Sequence, residues 1–250
     1  MSSEARLKKL SELIMKKGSL SVQDLADEFQ VSDMTIRRDL KKLEQSGLFQ
    51  RYHGGIRYVR EELPVQRESQ SMEEKKRIAE FCLTLISSND SIFLDSGTTA
   101  HCLAVALAES SLQNVTVITN SLTTAWALRY ARNVSLYMAG GEFRINSQAF
   151  LGSKSKMFLE GLYVNKAFVG TTGVIESGFS TFNFSDAETK QLMIQSSELS
   201  CIMADSSKFG KRSMNLFATI DSVDMVVADN GLSDYWVKIF EDKGVDLRLV

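Results

Sequence analysis

Two short stretches of this chain carry side chains whose types and spacing suit chemistry. The first is Ser32-Asp33-Met34-Thr35-Ile36-Arg37-Arg38-Asp39-Leu40. Ser32 has the hydroxyl of a helix N-cap, able to accept a hydrogen bond from a backbone N–H that the first turn leaves unpaired. Ile36, Leu40 and Leu43 follow at helical spacing toward a small core, which leaves Thr35, Arg37, Arg38 and then Lys41 outside. Hydroxyls and guanidinium groups at the amino end of a helix suit base edges and phosphates, with Ser32, Asp33 and Met34 as neighbours. The second stretch is Asp95-Ser96-Gly97-Thr98-Thr99-Ala100, between the apolar run Ile92-Phe93-Leu94 and an apolar helix through Leu107. Gly97 lets a backbone approach a ligand, free N–H groups at the helix start favour an anion, and Ser96, Thr98 and Thr99 add hydroxyls. That makes a candidate phosphate site, although a capped strand-to-helix turn without a ligand has the same composition.

The elements needed to position the first stretch are legible around it. Residues 4–17 place Leu7, Leu10, Leu13 and Ile14 on one face of a helix that Gly18 closes. Ser19-Leu20-Ser21 leads into Val22–Phe29, where Ser21 caps a helix with Leu25, Ala26 and Phe29 inward. Gln30-Val31-Ser32 is then a tight connection, and two helices joined so closely form a helix-turn-helix. Residues 47–58 alternate apolar and polar about Gly54-Gly55, the pattern of a hairpin wing. Ser21, Arg51, His53, Gly54, Gly55 and Arg57 would lie near phosphates or a minor-groove edge. The plainer alternative is a three-helix protein-docking module with solvated arginines.

Charge is divided in the same way. Net charge is −2, yet residues 1–60 hold 12 Lys and Arg against 8 Asp and Glu, so the acidic surplus lies in the remainder. A basic front and an acidic body fit a nucleic-acid module joined to a ligand-handling domain. At 250 residues and 44% hydrophobic content the chain has material for two unequal domains and a sizeable core. No apolar run approaches the roughly 18 residues of a membrane span, and the polar start lacks a signal-peptide core. A cytoplasmic protein without membrane contact is expected. Cys82, Cys102 and Cys201 are odd in number and widely spaced, so they read as buried thiols rather than a disulfide or metal set.

Pro64, the only proline, lies in a polar stretch read as a linker over residues 60–72. Beyond it helix and strand patterns alternate, beginning with a helix over 75–87, as in an α/β fold with a parallel sheet. Val115–Thr119 runs into Asn120, Val134–Met138 into Gly140-Gly141, and the strand at 166–169 into Gly170-Thr171-Thr172-Gly173. Thr119 with Asn120, and these glycines and threonines, would converge with the Asp95 turn beyond the carboxyl ends of the strands. Glu188 with Lys190 is expected just before a helix. Asp205 and Lys208 follow a strand at 201–204, and Lys208 could pair with a phosphate. Strands at Met225–Ala228 and 247–250 flank a helix whose Trp236 and Ile239 belong in the core.

The run VSDMTIRRDLKKLEQSGLFQRYHGGI resembles the amino-terminal signature of the DeoR family of bacterial transcriptional regulators. The resemblance extends through DSGTT to ADSSKFG, so it covers most of the chain. It implies a winged helix-turn-helix over residues 1–59 and an effector domain over 73–250. That domain would resemble the ribose-5-phosphate isomerase and glucosamine-6-phosphate deaminase fold. The implied function is repression of a carbohydrate-use operon under a phosphorylated sugar or sugar-alcohol effector, without a cofactor or metal. The implied partners are a double-stranded DNA operator and further copies of the chain, as a dimer or tetramer. Ile56 stands where the family commonly has alanine, with little consequence expected on a wing strand. An isomerase-like enzyme is the alternative, since Asp95, Glu188, Asp205 and Lys208 include proton-transfer types. No acidic DGADE-type loop accompanies them, and His101 is expected on a helix surface.

Overall fold

The computed structural model describes residues 3–44, 49–52, 54–58, 67 and 69–250, which fall into two compact units, Met1–Glu61 and Glu62–Val250. His53, Pro64 and much of the 60–72 stretch lie outside the described residues.

In the first unit, α1 (Ser3–Lys17), α2 (Val22–Phe29) and α3 (Asp33–Glu44) accompany β1 (Ser19–Ser21), β2 (Phe49–Tyr52) and β3 (Gly55–Tyr58). Local chemistry sets the boundaries. The Ser21 hydroxyl accepts from the Asp24 N–H at 3.0 Å while the Asp24 carboxylate accepts from the Ser21 N–H at 3.4 Å, a reciprocal cap. Gln30 adopts a left-handed φ of 51°, which stops α2 and turns the chain into α3. The short strand β1 pairs with β3, which also pairs with β2, so the wing is a three-stranded sheet. Three residues are too few to show a period, and the hairpin reading therefore missed β1. Leu10, Ile14, Leu25, Ile36, Leu40 and Ile56 are fully buried in one core. Ile56 is thus a core side chain, correcting the expectation that its identity matters little. Beneath α3 the Arg6 Nε donates to the buried Asp39 Oδ2 at 2.6 Å, fastening α1 to α3.

The second unit is built on seven parallel strands in the order β15-β14-β12-β9-β4-β5-β6. These are β4 (Ser91–Leu94), β5 (Val115–Thr119), β6 (Val134–Met138), β9 (Val164–Gly170), β12 (Ser197–Met203), β14 (Met225–Ala228) and β15 (Asp246–Leu249). Alternate residues feed two cores, as a sheet covered on both faces requires. Ile92, Leu94, Val117 and Phe168 pack with α4 (Met72–Thr84) and α5 (Thr98–Glu109). Phe93, Ile118, Ala167 and Val169 pack with α8 (Phe184–Gln195) and α9 (Asp234–Lys243). Trp236 is buried and Ile239 packs against it from the half-buried edge of that core. The remaining helices are α6 (Leu122–Leu128) and α7 (Ser153–Leu159). A hairpin of β7 (Glu142–Arg144) and β8 (Ala149–Leu151) follows β6, and β10 (Gly173–Ile175), β11 (Gly178–Thr181) and β13 (Asn215–Ala218) form a small antiparallel sheet.

The chain winds from β4 outward through β5 to β6, then returns to lay β9 on the other side of β4. Successive connections therefore leave β4 and β9 in opposite directions. The crevice that opens between their carboxyl ends is the switch point at which open α/β sheets take ligands.

Candidate nucleic-acid interface and ligand crevice

The face of α3 is set from below and capped at its start. Ile36, Asp39, Leu40 and Leu43 are buried, whereas Ser32, Asp33, Met34, Arg37, Arg38 and Lys41 are exposed. Met34 is 81% exposed, a large apolar side chain that the fold does not use. The Ser32 hydroxyl accepts from the Thr35 N–H at 3.3 Å and shares a 3.0 Å hydrogen bond with the Thr35 hydroxyl. Thr35 is half-buried, so its hydroxyl serves the cap as well as the surface. On the wing, Arg51 and Arg57 are exposed on paired strands and Gly54 turns at φ 90°. A Cβ on Gly55 would meet the Tyr52 ring at 2.5 Å and the Leu20 carbonyl at 2.6 Å, which makes this glycine a packing requirement. Ser21 is committed to its cap with Asp24. Two guanidinium groups and an exposed methionine at one end of a helix, with cations on the adjoining wing, can grip a phosphate backbone and reach base edges.

The ligand crevice is built around Asp95, fully buried at the end of β4. Its Oδ2 accepts from the Gly170 N–H at 2.9 Å, bridging the ends of β4 and β9, and also from the Lys190 ammonium. Lys190 in turn lies 3.7 Å from Asp186 Oδ2, which accepts from the Thr181 hydroxyl at 2.6 Å. All of these side chains are buried. Two carboxylates surround one ammonium, the Arg67 guanidinium is near enough to act on Lys190, and Asp95 Oδ1 and Asp186 Oδ1 have no hydrogen-bond partner. Burial raises the Asp95 pKa and Asp186 adds to it, outweighing the opposite pull of Lys190. Burial opposes the Lys190 charge, but Asp186 and Asp95 together more than offset it and hold the ammonium above the ordinary lysine value.

Beside this pair the turn opens outward. Gly97 has φ 126° at the start of α5, and a Cβ there would meet nothing within 4 Å. Among the described residues, the hydroxyls of Ser96, Thr98 and Thr99 hold no hydrogen bond. The start of a twelve-residue helix thus lies beside open space at Gly97, flanked by uncommitted hydroxyls.

Other expected ligand residues divide sharply. Asn120 is buried with its Nδ2 on the Phe150 carbonyl at 3.2 Å and its Oδ1 without a partner, while the Thr119 hydroxyl accepts from the Ser121 N–H at 3.1 Å. Gly140 faces open space, but a Cβ on Gly141 would come within 2.4 Å of the Leu151 carbonyl. Thr171 and Thr172 turn their hydroxyls onto the Ser180 carbonyl at 3.1 and 3.0 Å, and Gly173 is close-packed on Lys211. Those threonines hold the small antiparallel sheet. Asp205 caps the turn after β12 through the Ser207 N–H at 3.1 Å, with Lys208 3.7 Å away.

Glu188 and Lys190 lie inside α8, not before it as expected. Asn183 caps that helix by accepting from the Asp186 N–H at 3.1 Å, so the turn chemistry of Phe182-Asn183 marks its start. Glu188 faces outward and lies 3.8 Å from Lys156, away from the buried cluster. Asp186 is the residue that sequence reading missed, and Lys190, singled out beside Glu188, was not assigned to the buried cluster. Their i, i+4 spacing was visible, but a surface helical pair has the same spacing, and only the Asn183 cap fixes the phase that turns both inward. His101 is half-buried, with Nδ1 3.3 Å from the Thr123 carbonyl. Cys82 and Cys201 are buried free thiols and Cys102 is half-buried. Among the described residues no helix is long and apolar enough to cross a membrane.

Comparison with known proteins follows the same two-unit division. Residues 6–62 match the model of a DeoR-like helix-turn-helix domain, and residues 70–230 that of the DeoR C terminal sensor domain. An uncharacterized HTH-type transcriptional regulator, YulB of Bacillus subtilis (strain 168), is 37% identical over 98% of this chain and 96% of its own. A lactose phosphotransferase system repressor of Lactococcus lactis subsp. lactis is 31% identical over 96% of each chain. Among solved structures, ribose 5-phosphate isomerase A of Methanocaldococcus jannaschii overlaps 57% of this chain and 56% of its own, with TM-score 0.42 and 18% identity.

Proposed function

The chain belongs to the DeoR family of helix-turn-helix transcriptional regulators, and on that premise we propose that it represses a carbohydrate-use operon, its grip on DNA set by a phosphorylated sugar or sugar alcohol. It is a regulator rather than an enzyme, as its relatives are named. Arg37, Arg38 and Met34 on α3 contact bases, with Thr35 and Ser32 at the helix start and Arg51 and Arg57 on phosphates. His53, Gly54 and Lys41 extend that contact. The effector's phosphate lies on the Gly97-Thr98-Thr99 amides, and its hydroxylated chain runs toward Asn120, Gly140, Asp205 and Lys208. The relative named as a lactose phosphotransferase system repressor supports a sugar-derived compound as the effector class.

The observation that carries this reading is the turn after β4. Of the candidate anion sites it alone combines a glycine at positive φ, open space, uncommitted hydroxyls and a place at the sheet's switch point. An effector moves DNA affinity only through unequal affinity for two arrangements of the protein, so binding and response are separate measurements. A thermal-shift screen of phosphorylated sugars and hexitols, their unphosphorylated counterparts and inorganic phosphate tests the site. A ligand selective for the folded state raises the melting point. The expected result is that one phosphorylated compound protects and its unphosphorylated counterpart does not; protection independent of phosphate would reject the placement.

A further inference from the structure

The seven-stranded sheet has two open edges, and they are finished differently. At one end β15 exposes charged residues, with Arg248 Nε 2.9 Å from Asp246 Oδ1 along the strand. Charges on an edge strand discourage pairing with another sheet. At the other end β6 reads Val134-Ser135-Leu136-Tyr137-Met138, with no charge, no proline and Ser135 and Tyr137 exposed. Its unpaired main-chain groups form a five-residue template.

The flanks of that edge are apolar as well. On one face α6, which lies against β6, shows Leu122, Trp126 and then Tyr130, with the Arg129 guanidinium 4.3 Å from the Trp126 ring centre and 4.6 Å from that of Tyr130. The hairpin after β7 extends this line, because Leu122 N–H donates to the Gln148 carbonyl at 2.9 Å beside exposed Ile145. Tyr137 stands on the opposite face, where its register partner Ile118 enters the other core. Residues 122–141 contain no Lys, Asp or Glu and only two arginines, although an even spread of the chain's 24% charged residues would put about five charges there. Aromatic and arginine enrichment with loss of lysine and carboxylates is the composition of a protein interface.

We infer that the β6 edge and the α6 aromatic face bind a second copy of this chain about a two-fold axis. The same five residues meeting antiparallel complement themselves, which a two-fold contact requires. With Trp126 63%, Tyr130 82%, Tyr137 54%, Ile145 73% and Leu122 41% exposed, the side chains offer roughly 600 Å² per copy, set against the roughly 800 Å² per partner of a standard interface. The β6 main chain and Arg129 supply the remainder.

Sedimentation of the full chain tests the inference without DNA or effector, so its outcome is independent of the proposed function. Wild-type protein is expected as a dimer or an even multiple at ~10 µM. Ser135→Lys with Tyr137→Lys, both outward-facing, restores the missing edge charge and should weaken self-association by about 30-fold or more. A tetramer falling to a dimer supports the inference equally, because one of its contacts is lost. Trp126→Ala with Tyr130→Ala, on the helix surface, repeats the test should the strand variant fail to fold. Circular dichroism melting establishes that the fold is retained. Monomeric wild-type protein at ~50 µM would overturn the inference. So would a folded variant of unchanged mass, or an assembly broken by Phe184→Ser with Leu216→Ser instead.

Discussion

Among the described residues of the small unit one buried pair, Arg6 with Asp39, draws α1 against α3 and leaves Arg37 and Arg38 outside in water. In the large unit Lys190 is buried between Asp95 and Asp186 at the head of the sheet, with carboxylate oxygens left unpaired on both sides. One arrangement hides a charge pair so that other charges can be displayed. Asp39 Oδ1 also lacks a hydrogen-bond partner, so the difference lies in place: the other arrangement gathers its charges at the carboxyl ends of the strands, beside the expected ligand turn. The difference teaches what each unit presents to its partner: the first offers an outer face of exposed cations, the second a turn that begins at a buried, paired carboxylate.

The comparison breaks first at the display. Arg37→Ala with Arg38→Ala should lower affinity for an operator selected from a random duplex library by about 2–6 kcal/mol, since a good base contact contributes about 1–3 kcal/mol. The melting temperature should stay unchanged, because both side chains are exposed. Anisotropy titration at fixed salt measures the first effect and calorimetry the second.

Next comes the internal pair. Lys190→Met removes the cation from two buried carboxylates and should destabilise the large unit by about 3–5 kcal/mol. Differential scanning calorimetry should show one transition lowered and the small unit's transition unmoved; a uniform shift of both would contradict the division. A pH series sharpens this result. The folded Lys190 pKa lies above its reference value of 10.5, so its stabilisation is fully present below pH 10.5 and is lost as pH rises through the folded value. The stability gap between wild type and Lys190→Met should therefore narrow in strong alkali, and also on acidification, where protonation of Asp95 relieves the charge that the variant leaves without its cation.

The smallest effect concerns the caps of the first unit. Ser21→Ala breaks the reciprocal cap with Asp24 and should cost about 1 kcal/mol of that unit's stability. Urea unfolding followed by circular dichroism reads it.

The small unit was largely legible in the sequence because its signals are local. Ser21 and Ser32 are caps, Ile36, Leu40 and Leu43 share a helical face, and Gly54 turns the wing, each within one or two turns of chain. Ile56 was underrated because burial against α1 and α2 depends on the strand pairing of β1 with β3. In the large unit the strands and the Asp95 turn were legible, whereas the partners of Asp95 were not. Gly170 and Lys190 lie 75 and 95 residues away, and sheet order rather than sequence distance brings them together. Thr171 and Thr172 show the converse: small polar residues after a strand resemble a ligand loop, yet their hydroxyls support Ser180 and the adjoining sheet.

Operator affinity with and without the protecting sugar phosphate, in wild type and in Gly97→Asp, tests the central claim most directly. Aspartate at φ 126° is strained and sets a negative charge where the phosphate belongs. Wild-type affinity should move by about 10-fold or more with effector, as a coupling of roughly 1.4 kcal/mol implies, while Gly97→Asp binds the operator as tightly as wild type and ignores the effector. A Gly97→Asp protein that answers the effector as wild type does would contradict the account.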